Sequence, residues 1–155
     1  RRPFKISLFG PICAGHQGCV NCLQWNQDGS ILASGSDDCC VILWNPHTYK
    51  NLLTLATGHA GNIFSVKFLQ VRKRFLATGA ADAKVRVHDI EKKETVHVFG
   101  CHFGRVKRLE TIESEPFVFL SAAEDGAVRQ FDIRCPHNVS LVFVNLVAKY
   151  LLSEK

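Results

Sequence analysis

The sequence predicts an all-β fold assembled from three stacked repeats, and three observations predict it. A Gly-His or Cys-His pair recurs at a constant interval, with His16, His59 and His102 standing 43 residues apart (16 to 59, 59 to 102). Each histidine is followed by an aspartate, Asp38, Asp82 or Asp125, placed six residues before Trp44, His88 or Phe131. Between these marks lie short β-type runs bounded by turn residues such as Asp28-Gly29, Asp37-Asp38 and Asp125-Gly126. A period in the low forties signals supersecondary units that stack on one another rather than one irregular core.

The elements follow in order. In the first unit, strands are expected over Val20–Trp25, Ile31–Ser34, Cys40–Trp44 and Leu52–Ala56. The second unit gives Ile63–Phe68, Phe75–Thr78, Lys84–His88 and Thr95–Phe99. The third gives Val106–Thr111, Phe117–Ser121, Ala127–Phe131 and a fourth run at Val139–Val144. Four antiparallel strands per unit make a blade of a β-propeller. The repeats are drawn at 15–57, 58–100 and 101–134. Residues 1–14 are a candidate outer strand of a preceding blade, and the divergent tail 135–155 a candidate outer strand of the third.

Composition narrows the class. Apolar residues make up 46% of the 155-residue chain and aromatic residues 10%, which fits a packed domain rather than a disordered segment. The chain lacks methionine and starts Arg1-Arg2-Pro3, so it is expected to be an excerpt of a longer product. No secretory signal is visible, and the apolar run Leu141–Ala148 is well short of the ~20 residues of a membrane helix. Seven cysteines in that setting point to reduced thiols in the cytoplasm or nucleus. The charge of +5 is modest. The clusters Arg72-Lys73-Arg74 and Arg105, Lys107, Arg108 lack the aromatic interleaving of nucleic-acid binders and read as solvated loop charge. Neither nucleic acid nor membrane is expected as a partner.

Four residues before each aspartate stands a hydroxyl: Ser34, Thr78 and Ser121. Together with Gly15-His16 to Trp44-Asn45, Gly58-His59 to His88-Asp89, and Cys101-His102 to Phe131-Asp132, this pattern resembles the WD repeat. The resemblance implies a structural hydrogen-bond network of His16, Ser34, Asp38 and Trp44 in the first unit. It implies His59, Thr78, Asp82 and His88 in the second, and His102, Ser121 and Asp125 in the third. Buried polar groups of this kind are tolerable only when all are satisfied. His88 can still donate where the family has Trp; Phe131 cannot, so the third network must be shorter or completed by water. Propellers of the family usually close with seven blades, so the chain reads as three blades of a seven-bladed parent. An open arc of three is expected to expose two blade faces and to self-associate or melt without cooperativity.

Ser, His and Asp in one unit also invite a hydrolase reading. The trio occurs three times at one spacing, whereas a catalytic triad is needed once, and no Gly-x-Ser-x-Gly motif is present. No catalytic residue is assigned and the chain is read as a non-enzyme. Cys19-x-x-Cys22 followed by Cys39-Cys40 suggests zinc only superficially, because the second pair is adjacent rather than spaced. No metal or cofactor is expected. The sequon Asn138-Val139-Ser140 carries no meaning in a chain of that compartment.

One feature narrows the partner. The third unit runs Leu120-Ser121-Ala122-Ala123, Asp125-Gly126, Val128 and Phe131-Asp132-x-Arg134, whereas the first has His47 and the second Glu91 at the place of Arg134. This resembles the box of WD-repeat receptors that dock on the propeller adaptor of the cullin-4 RING ubiquitin ligase. Longer stretches, such as Leu32 to Asp38, Thr57 to Leu69 and Gly79 to Asp89, resemble the same receptor group, and within it members that add tetratricopeptide repeats. The resemblance implies a non-catalytic interaction scaffold. Asp132 and Arg134 would contact the adaptor, with Arg134 reaching its carboxylates, and other surfaces would hold a ubiquitination substrate. The alternative is a generic WD-repeat scaffold of a chromatin or signalling complex.

Overall fold

The structure, a computed structural model, describes residues 15–71, 74–135 and 140–144, the last as backbone only. The expectations for residues 1–14 and for most of the tail lie outside the described residues. Among the described residues all regular structure is strand, in three four-stranded antiparallel sheets that follow chain order. The first sheet holds β1 (Val20–Trp25), β2 (Leu32–Ser36), β3 (Cys40–Asn45) and β4 (Lys50–Ala56). The second holds β5 (Ile63–Phe68), β6 (Phe75–Ala80), β7 (Val85–Asp89) and β8 (Glu94–Phe99). The third holds β9 (Val106–Ile112), β10 (Glu115–Ala123), β11 (Ala127–Asp132) and β12 (Ser140–Val144). These are blades of a partial propeller.

Several strands run further than side-chain alternation suggests. β4 begins at Lys50 because Lys50 pairs with Asn45 across a tight turn, and β10 begins at Glu115, paired with Ile112. Ladder hydrogen bonds are made by the backbone, so polar residues at a hairpin end join the strand without any apolar signal. The turn after each network aspartate places Cys39, Ala83 or Gly126 at φ 63, 60 or 76. Only the third unit uses glycine there, and the other two accept roughly 1 kcal/mol of steric cost.

The first strands of the blades, β1, β5 and β9, lie side by side. Blade 1 presents Ala33, Val41, Leu43 and Leu55 to Ile63, Val66, Leu76 and Ala80 of blade 2. Blade 2 presents Ala77, Val85, Val87 and Phe99 to Val106, Leu109, Phe119 and Phe131 of blade 3. Each fully buried aliphatic side chain contributes about 1.5–3 kcal/mol, so the inter-blade layers are the core. Gly35 and Gly79 permit the close approach. A Cβ at either would stand 2.7 Å from Ile63 or Val106 of the next blade.

Within a blade, first and third strands run the same way. The turns after β1 and after β3, with their counterparts in blades 2 and 3, therefore share one end of the arc. The histidine loops and the turns after each second strand share the other.

Candidate functional site

At the histidine end, each blade closes the same contact. His16 Nδ1–H donates to Asp38 at 2.9 Å, and the Ser34 hydroxyl donates to His16 Nε2 at 2.7 Å. Trp44 Nε1–H donates to the same hydroxyl at 2.8 Å. In blade 2, His59 meets Asp82 at 2.9 Å and Thr78 at 2.8 Å. His88 replaces the indole, its Nε2 being 2.8 Å from Thr78 Oγ1 and its Nδ1 3.0 Å from Thr95 Oγ1. With Asp82 fixing the proton on His59 Nδ1, each hydroxyl donates onward, and His88 is left with Nε2–H and an accepting Nδ1. In blade 3, His102 meets Asp125 at 2.8 Å and Ser121 at 2.6 Å. Phe131 adds no donor to this shorter network. Its ring is buried instead among aromatics, stacked on Phe119 at 5.0 Å and tilted against Phe99 at 4.7 Å.

Charge follows the geometry. Burial alone would raise the Asp125 carboxyl, but the N–H groups of Phe103 and Ala127 and the His102 ring outweigh it and hold the group down at about 2. Asp38 and Asp82 are lowered by the same competition. Burial pushes His88 down to about 3, with the nearby His59 ring and Arg86 guanidinium lowering it further. Ser34, Thr78 and Ser121 are at most 2% exposed. The arrangement braces loop to sheet.

Cys19, Cys22, Cys39 and Cys40 are unpaired, and burial raises Cys22 to about 11, keeping it protonated. Among the described residues no group of His, Cys, Asp and Glu side chains is placed to hold a metal ion.

The other end carries the remaining candidates. Asp132 Oδ1 accepts the Arg134 backbone N–H at 2.9 Å and so shapes the turn after β11. The Arg134 guanidinium folds back onto the same carboxylate, with Nε at 2.9 Å from Oδ1 and Nη2 at 2.5 Å from Oδ2. It also lies over the Phe117 ring at 4.7 Å. The pair lowers Asp132 and raises Arg134. Arg134 remains exposed, so the structure shows a surface guanidinium held in one orientation rather than a free one.

Blade 2 has a counterpart that the repeat pattern hides. Asp89 Oδ1 accepts the N–H groups of Glu91 and Lys92, while Oδ2 takes Nε of Arg74 at 2.7 Å and also its Nη2. Arg74 Nη1 reaches Glu91 at 3.3 Å, and the guanidinium lies 5.8 Å from the Phe75 ring centre. Part of the basic clusters is therefore engaged rather than merely solvated. Arg105 pairs with Glu124 at 2.9 Å, and Lys107 sits over Phe64 at 3.7 Å. The signal for Arg74 was the Arg72-Lys73-Arg74 run. At the same end, a cavity of about 160 Å³ opens between Trp25, Asn26, Phe68, Gln70 and Thr111.

Residues 9–45 and 50–89 match the family described as WD domain, G-beta repeat. WD and tetratricopeptide repeats protein 1 of Homo sapiens is 56% identical over 133 residues, covering 85% of this chain and 20% of the relative. Protein ALTERED SEED GERMINATION 2 of Arabidopsis thaliana is 40% identical, covering 79% of this chain and 18% of the relative. DDB1- and CUL4-associated factor 6 of Homo sapiens is 37% identical, covering 77% and 14%. The chain thus spans a fifth or less of the length of these curated relatives. With two units matched, a third built on the same sheet and the same His–hydroxyl–Asp contact, the chain belongs to the WD-repeat family.

Proposed function

We propose that this chain is part of a substrate receptor of a cullin-4-type RING ubiquitin ligase, and that the turn after β11 docks on the ligase's propeller adaptor. The observation that carries the reading is the presentation of Arg134. It is exposed, gripped on one edge by Asp132 and on one face by Phe117, and it leaves its second edge for a partner carboxylate. Pre-organisation of this kind reduces the entropy lost on docking. The name of one relative, DDB1- and CUL4-associated factor 6, supports the same reading. On this view the chain works in the cytoplasm or nucleus, catalyses nothing, and holds a ubiquitination substrate by other surfaces.

The Asp132–Arg134 pair also favours a second reading, in which it braces the turn of a WD-repeat scaffold serving a chromatin or signalling complex. Co-precipitation of the purified cullin-4 adaptor with the chain and with Arg134→Glu separates the two. Loss of adaptor binding with an unchanged melting curve supports docking. Equal binding with a lowered melting temperature supports the brace.

A further inference from the structure

Two neighbouring blades carry one clamp in two states. Asp89 and Asp132 occupy the same position, each at the end of its blade's third strand. Each uses Oδ1 to cap the turn that follows. Each then engages the Nε–Nη2 edge of a guanidinium, from Arg74 in blade 2 and Arg134 in blade 3. Each guanidinium lies over a phenylalanine near the start of the second strand, Phe75 or Phe117.

The two clamps differ in their third member. Blade 2 has Glu91 two residues after its aspartate, and Glu91 meets the outward Nη1 of Arg74 at 3.3 Å. Blade 3 has Arg134 itself at that place. Among the described residues no carboxylate other than Asp132 stands within ion-pair distance of Arg134, and Glu115 acts on it only through charge at longer range. A planar guanidinium offers two edges to carboxylates. Arg74 has both engaged, and Arg134 has one.

We infer that Glu91 is a specificity-determining residue of this edge: it fills in blade 2 the seat that a partner's carboxylate takes at Arg134, and so confines docking to blade 3. The inference rests on the docking role proposed for Arg134. Glu91 is exposed, 68% in its side chain, so it is removable without disturbing the core. Its charge also repels an incoming carboxylate, a form of discrimination by unfavourable contact.

The test follows arginine side-chain NMR signals of the whole, 15N-labelled chain during titration with acetate, beside Glu91→Ala. Acetate is expected to shift Arg134 but not Arg74 in the unsubstituted chain, and both in Glu91→Ala. An Arg74 that responds before substitution, or stays silent after it, overturns the inference, as does a silent Arg134. Adaptor binding adds a second arm. Glu91→Ala is expected to bind several-fold more tightly, and to return to the unsubstituted level when Arg74→Gln is added. If Arg134→Glu abolishes binding while Glu91→Ala leaves it unchanged, the inference alone fails. If Arg134→Glu binds normally, the docking role fails, and the acetate titration still decides whether Glu91 closes the blade 2 clamp.

Discussion

His88 Nε2 stands 2.8 Å from Thr78 Oγ1, the same separation that Trp44 Nε1 keeps from Ser34 Oγ one blade earlier. An imidazole thus does the donating work of an indole, and its second nitrogen extends the chain of hydrogen bonds to Thr95. The substitution is conservative in hydrogen bonding and not in titration.

Acid sensitivity is the first expected consequence. His88 is held neutral down to about 3, whereas an unfolded histidine protonates near 6.5. Between these values the unfolded chain binds the additional proton, so stability falls as pH drops from about 6.5 toward 3, by about 1.4 kcal/mol per pH unit for one proton. Urea unfolding of the chain and of His88→Trp at several pH values checks this. The substituted chain should show a shallower decline, and identical slopes would place the acid sensitivity elsewhere.

Arg86 should be replaceable with profit to stability. Its Nε is buried without a hydrogen-bond partner, and the same position in blade 1 is Ile42, 1% exposed. A buried donor without a partner costs about 1–3 kcal/mol. Arg86→Ile is therefore expected to raise the urea midpoint by the equivalent of roughly 1 kcal/mol. A lowered midpoint would show that the outer guanidinium nitrogens hold something of greater value.

The close approach of the blades predicts a sharp difference between two glycines. A Cβ at Gly79 would stand 2.7 Å from Val106, which is fully buried, whereas Gly100 has nothing within 4 Å. Gly79→Ala should destabilise by about 1–3 kcal/mol, the usual cost of overpacking. Gly100→Ala should be nearly neutral, and comparable midpoints for the two would contradict the packing.

The uncovered face of blade 1 predicts self-association of the isolated chain. Val20, Leu23 and Trp25 are 51%, 62% and 50% exposed, while Ile63 and Val66, which occupy the places of Val20 and Leu23 in blade 2, are buried. Sedimentation velocity at rising concentration should show a growing larger species, reduced in Leu23→Lys. A chain that stays monomeric and unfolds in one sharp transition would rule this out.

The repeat period made the blades legible, because inter-blade packing imposes the same apolar positions on every unit: Leu23, Val66 and Leu109 align by count alone. The positions of His16, Ser34 and Asp38 and their counterparts were legible for the same reason. Contacts that cross the period were not. Arg74 comes from a loop and reaches Asp89 in the third strand, so no alignment of units on their histidines brings the two together. The stack of Arg134 on Phe117 depends on how a turn folds back over a neighbouring hairpin. Arg86 reads as an ordinary strand arginine, and only burial shows that its Nε lacks a partner.

Gly35 and Gly79 have one more consequence. Each lacks the methyl that would stand 2.7 Å from the first strand of the next blade, so together they allow neighbouring sheets to approach this closely. In the third blade the matching register position, opposite Val128 as Gly35 is opposite Val41, is Ala122. The third sheet therefore carries a methyl at the place where the first two carry none. The fit between the described blades thus rests on the smallest side chains they contain.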